Sequence, residues 1–121
     1  MSEHSEQVAV IQWKNMLQNR YIELGLLFAV PNAGKRSIGA ARYYLSEGLM
    51  PGVPDLILPV TKNGKGGLAI EMKVKPNKVT QEQKWWLSSL QNFGWVTLVC
   101  FSADEAIRAI CDYLGIEDAY A

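Results

Sequence analysis

At 121 residues, 49% apolar and 20% charged, the composition excludes a disordered chain and predicts a single domain over residues 1–121 with one hydrophobic core. No apolar run reaches the roughly 18 residues of a membrane span, and no signal-peptide pattern opens the chain, so a cytoplasmic protein with no membrane partner is expected. Zero net charge excludes a generic polyanion coat, yet residues 31–84 carry nine Lys/Arg against four Asp/Glu, a basic middle suited to a phosphate-bearing partner or simply a solvated mixed surface.

Along the chain, Val10, Trp13, Leu17, Tyr21 and Leu24 recur at three- and four-residue steps and predict an amphipathic helix over residues 5–23, stopped at Gly25. LLFAV (26–30) reads as a short strand ended by Pro31, PNAGKRS as a loop, and residues 37–47 as a helix closed by Gly48. After the turn-rich MPGVP, DLILPV (55–60) is a strand, TKNGKGG a hairpin turn and GLAIEMKVK (67–75) its returning strand. Thr80 begins a helix that runs to about Asn92 and ends at Gly94; WVTLVCF (95–101) is the next strand. Ala106, Ile107, Ile110, Cys111 and Leu114 line one face of a last helix, with Ser102 and Glu105 in capping-box spacing. The order α-β-α-β-β-α-β-α predicts an α/β fold, a mixed central sheet flanked by helices. With His4 the only histidine, and Cys100 and Cys111 in apolar patterns, two buried thiols are expected rather than a zinc site or a disulfide.

In GLAIEMKVK, Leu68, Ile70, Met72 and Val74 alternate as a half-buried strand should, which leaves Glu71 and Lys73 together on the other face. A turn centred near Asn63 sets Asp55 opposite Glu71, with Cβ atoms about 5 Å apart, where like charges repel. A bulge would shift that register by one residue. Something positive should fill the gap. Lys73 alone makes a structural ion-pair cluster; a hard divalent cation makes Asp55 and Glu71 ligands and leaves Lys73 to orient a water or stabilise developing phosphorane charge.

GVPDLIL followed by LAIEMKVK resembles the PD-(D/E)xK nuclease signature, with Asp55 as its acid and Glu71-x-Lys73 as its second half. The longer stretches PNAGKR, GLMPGVPDLIL and LAIEMKVKPNKVTQEQKWWLSSLQNFGW resemble the virus-type replication-repair nuclease (VRR-NUC) domain, over nearly the whole chain. The resemblance implies a restriction-endonuclease-like core and an endonuclease dependent on Mg²⁺ or Mn²⁺. Stand-alone members resemble phage or bacterial homodimers that act on branched DNA, including four-way junctions. It further implies the Met72 backbone carbonyl as a metal ligand, Glu6 as the N-terminal helix carboxylate that completes the site (with Glu3 a near alternative), and a site role for Gln83. Each has a plainer reading: an acid suits a first helical turn, and Thr80-x-x-Gln83 is itself a capping box.

The PNAGKRS loop fails as a phosphate-binding P-loop, because Arg36 and Ala29 stand where the pattern needs other residues. Asn32, Lys35 and Arg36 instead suit a DNA phosphate, with Lys75 and Lys78 extending the track, against the alternative of an ordinary basic loop. Trp85 and Trp86 lie about 100° apart on their helix, so they do not both enter one core; one reaches a subunit interface or lies at the core edge. A non-cutting nucleic-acid-binding module of the same fold, and a small-nucleotide phosphohydrolase, are the competing functions.

Overall fold

The computed structural model describes residues 1–31 and 37–117. Helix α1 (Glu3–Leu17) is followed by a 3-10 turn (Ile22–Leu26), strand β1 (Phe28–Ala29) and helix α2 (Ile38–Ser46). Strands β2 (Leu56–Leu58) and β3 (Leu68–Met72) come next, then helix α3 (Gln81–Asn92), strand β4 (Val96–Cys100) and helix α4 (Ala103–Leu114). The strands form one mixed sheet in the order β1-β2-β3-β4, antiparallel through β3 and parallel between β3 and β4, which α3 connects. The predicted order of elements is the observed one.

Local chemistry explains where the boundaries moved. Helix α1 begins earlier than predicted because Ser2 and Ser5 form a reciprocal capping box. It also ends earlier: Arg20 and Tyr21 both donate to the Leu17 carbonyl, and the backbone tightens into the 3-10 turn. Leu24 stays fully buried through that change, so the apolar spacing continues while the helix type does not. At α4 half of the predicted capping box forms. Ser102 accepts from the Glu105 N–H at 3.1 Å, but the Glu105 carboxylate reaches back to the Phe101 N–H at 3.3 Å instead of to the cap residue.

The hairpin shows how register is fixed. Leu56 pairs with Ile70 and Leu58 with Leu68, the register expected from a turn at Asn63. The turn itself is Asn63-Gly64, both at positive φ, closed by the Lys62–Lys65 bridge. Three residues, Pro59 to Thr61, then face only Gly66 and Gly67, and this extra residue restores the pairing that sets position 55 against position 71. Gly67 is obligatory for a second reason, since a Cβ there would lie 2.5 Å from the Trp95 ring.

Val10 and Trp13 of α1, Ile110 and Leu114 of α4, and Leu68, Ile70 and Met72 of β3 share one buried cluster. Cys100 and Cys111 are both free and buried within it, and burial, aided by Glu105, pushes the Cys100 thiol up to about 11. The other face of β3 is not solvated as the alternation predicted: Ala69, Glu71 and Lys73 are buried too. That second, covered face is where the charges sit. Among the described residues no helix is long and apolar enough to cross a membrane.

Candidate active site

Two neighbouring strands build the site. Asp55 precedes β2 at the position facing Glu71 of β3, and the Met72 N–H donates to Asp55 Oδ2 at 2.8 Å. That bond holds the half-buried Asp55 carboxylate against the sheet beside Glu71, which is only 2% exposed. Two residues along β3, Lys73 places its Nζ 3.9 Å from Glu71 Oε2. From the start of α3, Gln83 donates its Nε2 to the same Glu71 oxygen at 3.2 Å. Asp55, Glu71, Lys73 and Gln83 therefore line one concavity of 470 Å³, together with Glu3, His4 and Gln7 of α1 and Ala29, Val30 and Pro31 of the segment leaving β1.

The electrostatics of the site favour an added positive charge. Burial, then the charge of nearby Asp55, push Glu71 up to about 9; Lys73 pulls it down and does not compensate. Glu71 Oε1 is buried and has no hydrogen-bond partner. A buried carboxylate oxygen left this way costs stability unless something binds it. Among the described residues no three His, Cys, Asp or Glu side chains converge as a ready metal cluster. A Mg²⁺-type cation does not need three, because it takes one or two carboxylates with water and phosphate oxygens as the remaining ligands. Asp55 and the orphaned Glu71 oxygen fit that requirement.

Gln83 does two jobs with one amide. Its Oε1 accepts from the Thr80 N–H at 2.8 Å, completing the capping box of α3, while its Nε2 serves Glu71. The cap and site readings thus describe the same side chain.

Glu6 is not brought to the concavity. It turns inward, 6% exposed, and its Oε1 accepts from the Ala103 N–H at 2.9 Å, at the start of α4. The reason is helical phase: Glu6 lies on the core side with Val10 and Trp13, while Glu3 and Gln7, four apart, share the side facing the pocket. Glu3, the alternative that the resemblance left open, lines the concavity, and His4 and Gln7 beside it are lining residues that the motif does not name. Lys75 and Lys78 are exposed beyond β3 and do not line the concavity, and Lys75 Nζ sits 5.9 Å from the centre of the Phe101 ring. Asn32, Lys35 and Arg36 lie outside the described residues. Trp85 and Trp86 meet edge to face at 5.4 Å, with Trp85 58% exposed and neither buried in the core.

A mixed α/β sheet that brings Asp55, Glu71 and Lys73 together across adjacent strands is a nuclease-type fold. The chain belongs to the VRR-NUC domain family, whose model matches residues 1–104. A solved structure described as a VRR_NUC domain protein superposes with a TM-score of 0.80 at 22% identity, covering 96% of this chain and 90% of that one. No curated protein matches the chain.

Proposed function

We propose that this chain is a metal-dependent DNA endonuclease that hydrolyses phosphodiester bonds, acting on branched DNA such as four-way junctions as a homodimer. The observation that carries the reading is the buried, unpartnered Glu71 Oε1 beside Asp55, with Lys73 on the same face. Asp55, Glu71 and the Met72 carbonyl are the groups that would hold Mg²⁺ or Mn²⁺. When bound, the cation supplies Lewis-acid neutralisation of phosphate charge.

The protein groups do the rest. The Lys73 ammonium, which only donates hydrogen bonds, orients the attacking water and faces the charge that builds on the phosphorane oxygens. Gln83 fixes the Glu71 carboxylate so that its second oxygen keeps one direction. Attack in line with the bond to the 3′ oxygen leaves 3′-hydroxyl and 5′-phosphate ends. Asn32, Lys35, Arg36, Lys75 and Lys78 supply phosphate contacts along the flanking duplex. For the pairing of two copies, the candidate surface is a hollow lined by Met50, Pro51, Glu82, Trp85 and Trp86, where Met50 and Trp85 are exposed apolar side chains. A cytoplasmic location, in a host cell if the chain is phage-encoded, suits this activity and the two free thiols.

The test is incubation of the protein with plasmid, linear duplex and a synthetic four-way junction, in Mg²⁺ or EDTA. Cutting of the junction in Mg²⁺ alone, lost in Asp55→Ala by at least about a hundredfold while junction binding persists, is the expected result. Tight junction binding by the intact protein with no cleavage in Mg²⁺ or Mn²⁺ would instead make it a binding module. Hydrolysis of free nucleotides alone would make it a small-molecule phosphohydrolase.

A further inference from the structure

The chain leaving β3 folds back at once, with the Asn77 N–H donating to the Val74 carbonyl at 2.9 Å. This turn carries the Asn77 side chain to the first residue of α1, where its Nδ2 donates to Glu3 Oε2 at 3.0 Å. Asn77 is exposed and Glu3 half-buried. A hydrogen bond in that setting contributes about 1 kcal/mol or less to stability, so the fold gives little account of it. What the bond fixes is direction. One Glu3 oxygen is tied to the turn after β3, and the carboxylate is held on the wall of the concavity that Asp55 and Glu71 line.

The charge of Glu3 is felt at Glu71, where it adds to the larger effects of burial and Asp55. Yet Glu3 does not converge with the other two carboxylates as a three-ligand cluster. A carboxylate near a hard cation but beyond direct ligand reach acts through the water such ions retain.

We infer that Asn77 is a positioning residue: it aims Glu3 at the cation's water shell, so that Glu3 acts across a water while Asp55 and Glu71 act directly. The inference rests on the metal-dependent reading above and adds to it the side chain that orients Glu3.

The experiment is titration of the 121-residue chain with Mn²⁺ in the absence of DNA, followed by electron paramagnetic resonance of the free ion. Glu3→Gln weakens Mn²⁺ binding by about tenfold, the lower end of what orienting groups contribute, and Asn77→Ala by about three- to fivefold, within what one exposed hydrogen bond contributes. The double variant binds no more weakly than Glu3→Gln alone, because Asn77 acts only through Glu3. Thermal midpoints in EDTA stay close to that of the starting protein for both single variants, which excludes a folding defect. Further loss from Asn77→Ala in the Glu3→Gln background would overturn the inference, since Asn77 would then act elsewhere. Unchanged affinity in Glu3→Gln, beside loss in Asp55→Asn, would overturn it and leave the metal-dependent reading intact. Absence of Mn²⁺ uptake by the unaltered protein would overturn both.

Discussion

Burial and the neighbouring Asp55 hold the proton on Glu71, raising its pKa from an ordinary 4.5 to about 9, while Lys73 opposes them. Between those two values the folded, cation-free chain keeps a proton that the unfolded chain has released. The stability this group contributes is therefore complete below 4.5 and is lost as pH rises toward about 9. Calorimetry in EDTA should accordingly show the unfolding midpoint falling across that window. Glu71→Gln keeps the shape and cannot ionise, so it should flatten this dependence and raise the midpoint at alkaline pH by a few degrees, at about 4 °C per kcal/mol. Cleavage should be lost in the same variant, because the oxygen that costs the fold is the one the site uses. A variant whose midpoint falls as steeply as that of the starting protein would show that Glu71 is not the group responsible. At this scale the sequence was highly legible for Asp55, Glu71 and Lys73, because strand alternation and hairpin arithmetic are both local rules. It was poorly legible for Glu3 and Asn77, whose contact spans 74 positions and leaves no periodic trace.

Among the elements, the seating of α1 on α4 involves Glu6, the side chain that the family motif alone would send to the metal site. Glu3 and Glu6 both stand in the first turn of α1, and the helix dipole favours either. What separates them is the direction each takes around the helix, which depends on where α4 begins. Glu6 Oε1 receives the Ala103 N–H, one of the amides that the start of α4 leaves without a helical partner, and its Oε2 is buried without one. Glu6→Gln preserves an acceptor for that amide and should leave Mn²⁺ affinity within about twofold of the starting value. Glu6→Ala should lower stability by about 1–3 kcal/mol in urea denaturation, the cost of an unsatisfied buried donor. A tenfold or greater fall in Mn²⁺ affinity for Glu6→Gln would instead return Glu6 to the metal site. The end of α1 differs from the predicted one for a related reason: Tyr21 and Leu24 keep core spacing through a change from α-helix to 3-10 turn, and spacing reports burial more faithfully than backbone type.

For the whole molecule, zero net charge conceals a division of labour. The acids fall mainly in α1 and α4 and in the flanking termini, while residues 31–84 hold nine of the twelve lysines and arginines. Attraction to DNA depends on that local excess and on the counterions it displaces, not on the total. Two copies joined through the Met50–Trp85 hollow would present two such basic faces; Trp85→Glu should then convert a sedimenting dimer into a monomer and weaken junction binding together. The electrostatic contribution is measurable in the pure protein. Junction affinity, followed by fluorescence anisotropy in EDTA, should fall linearly on logarithmic axes as salt rises, with a slope of about −0.9 for each phosphate engaged. Lys75 and Lys78 are exposed and lie outside the carboxylate concavity, so alanine at either should shallow that slope by about one for each phosphate no longer engaged, and leave Mn²⁺ affinity unchanged. A slope near zero for the unaltered protein would mean that the basic middle is a solvated surface, and the substrate would have to be sought among ligands without a phosphate backbone. A normal slope that neither lysine alters would shift the phosphate track away from the turn after β3 and onto other basic side chains of residues 31–84.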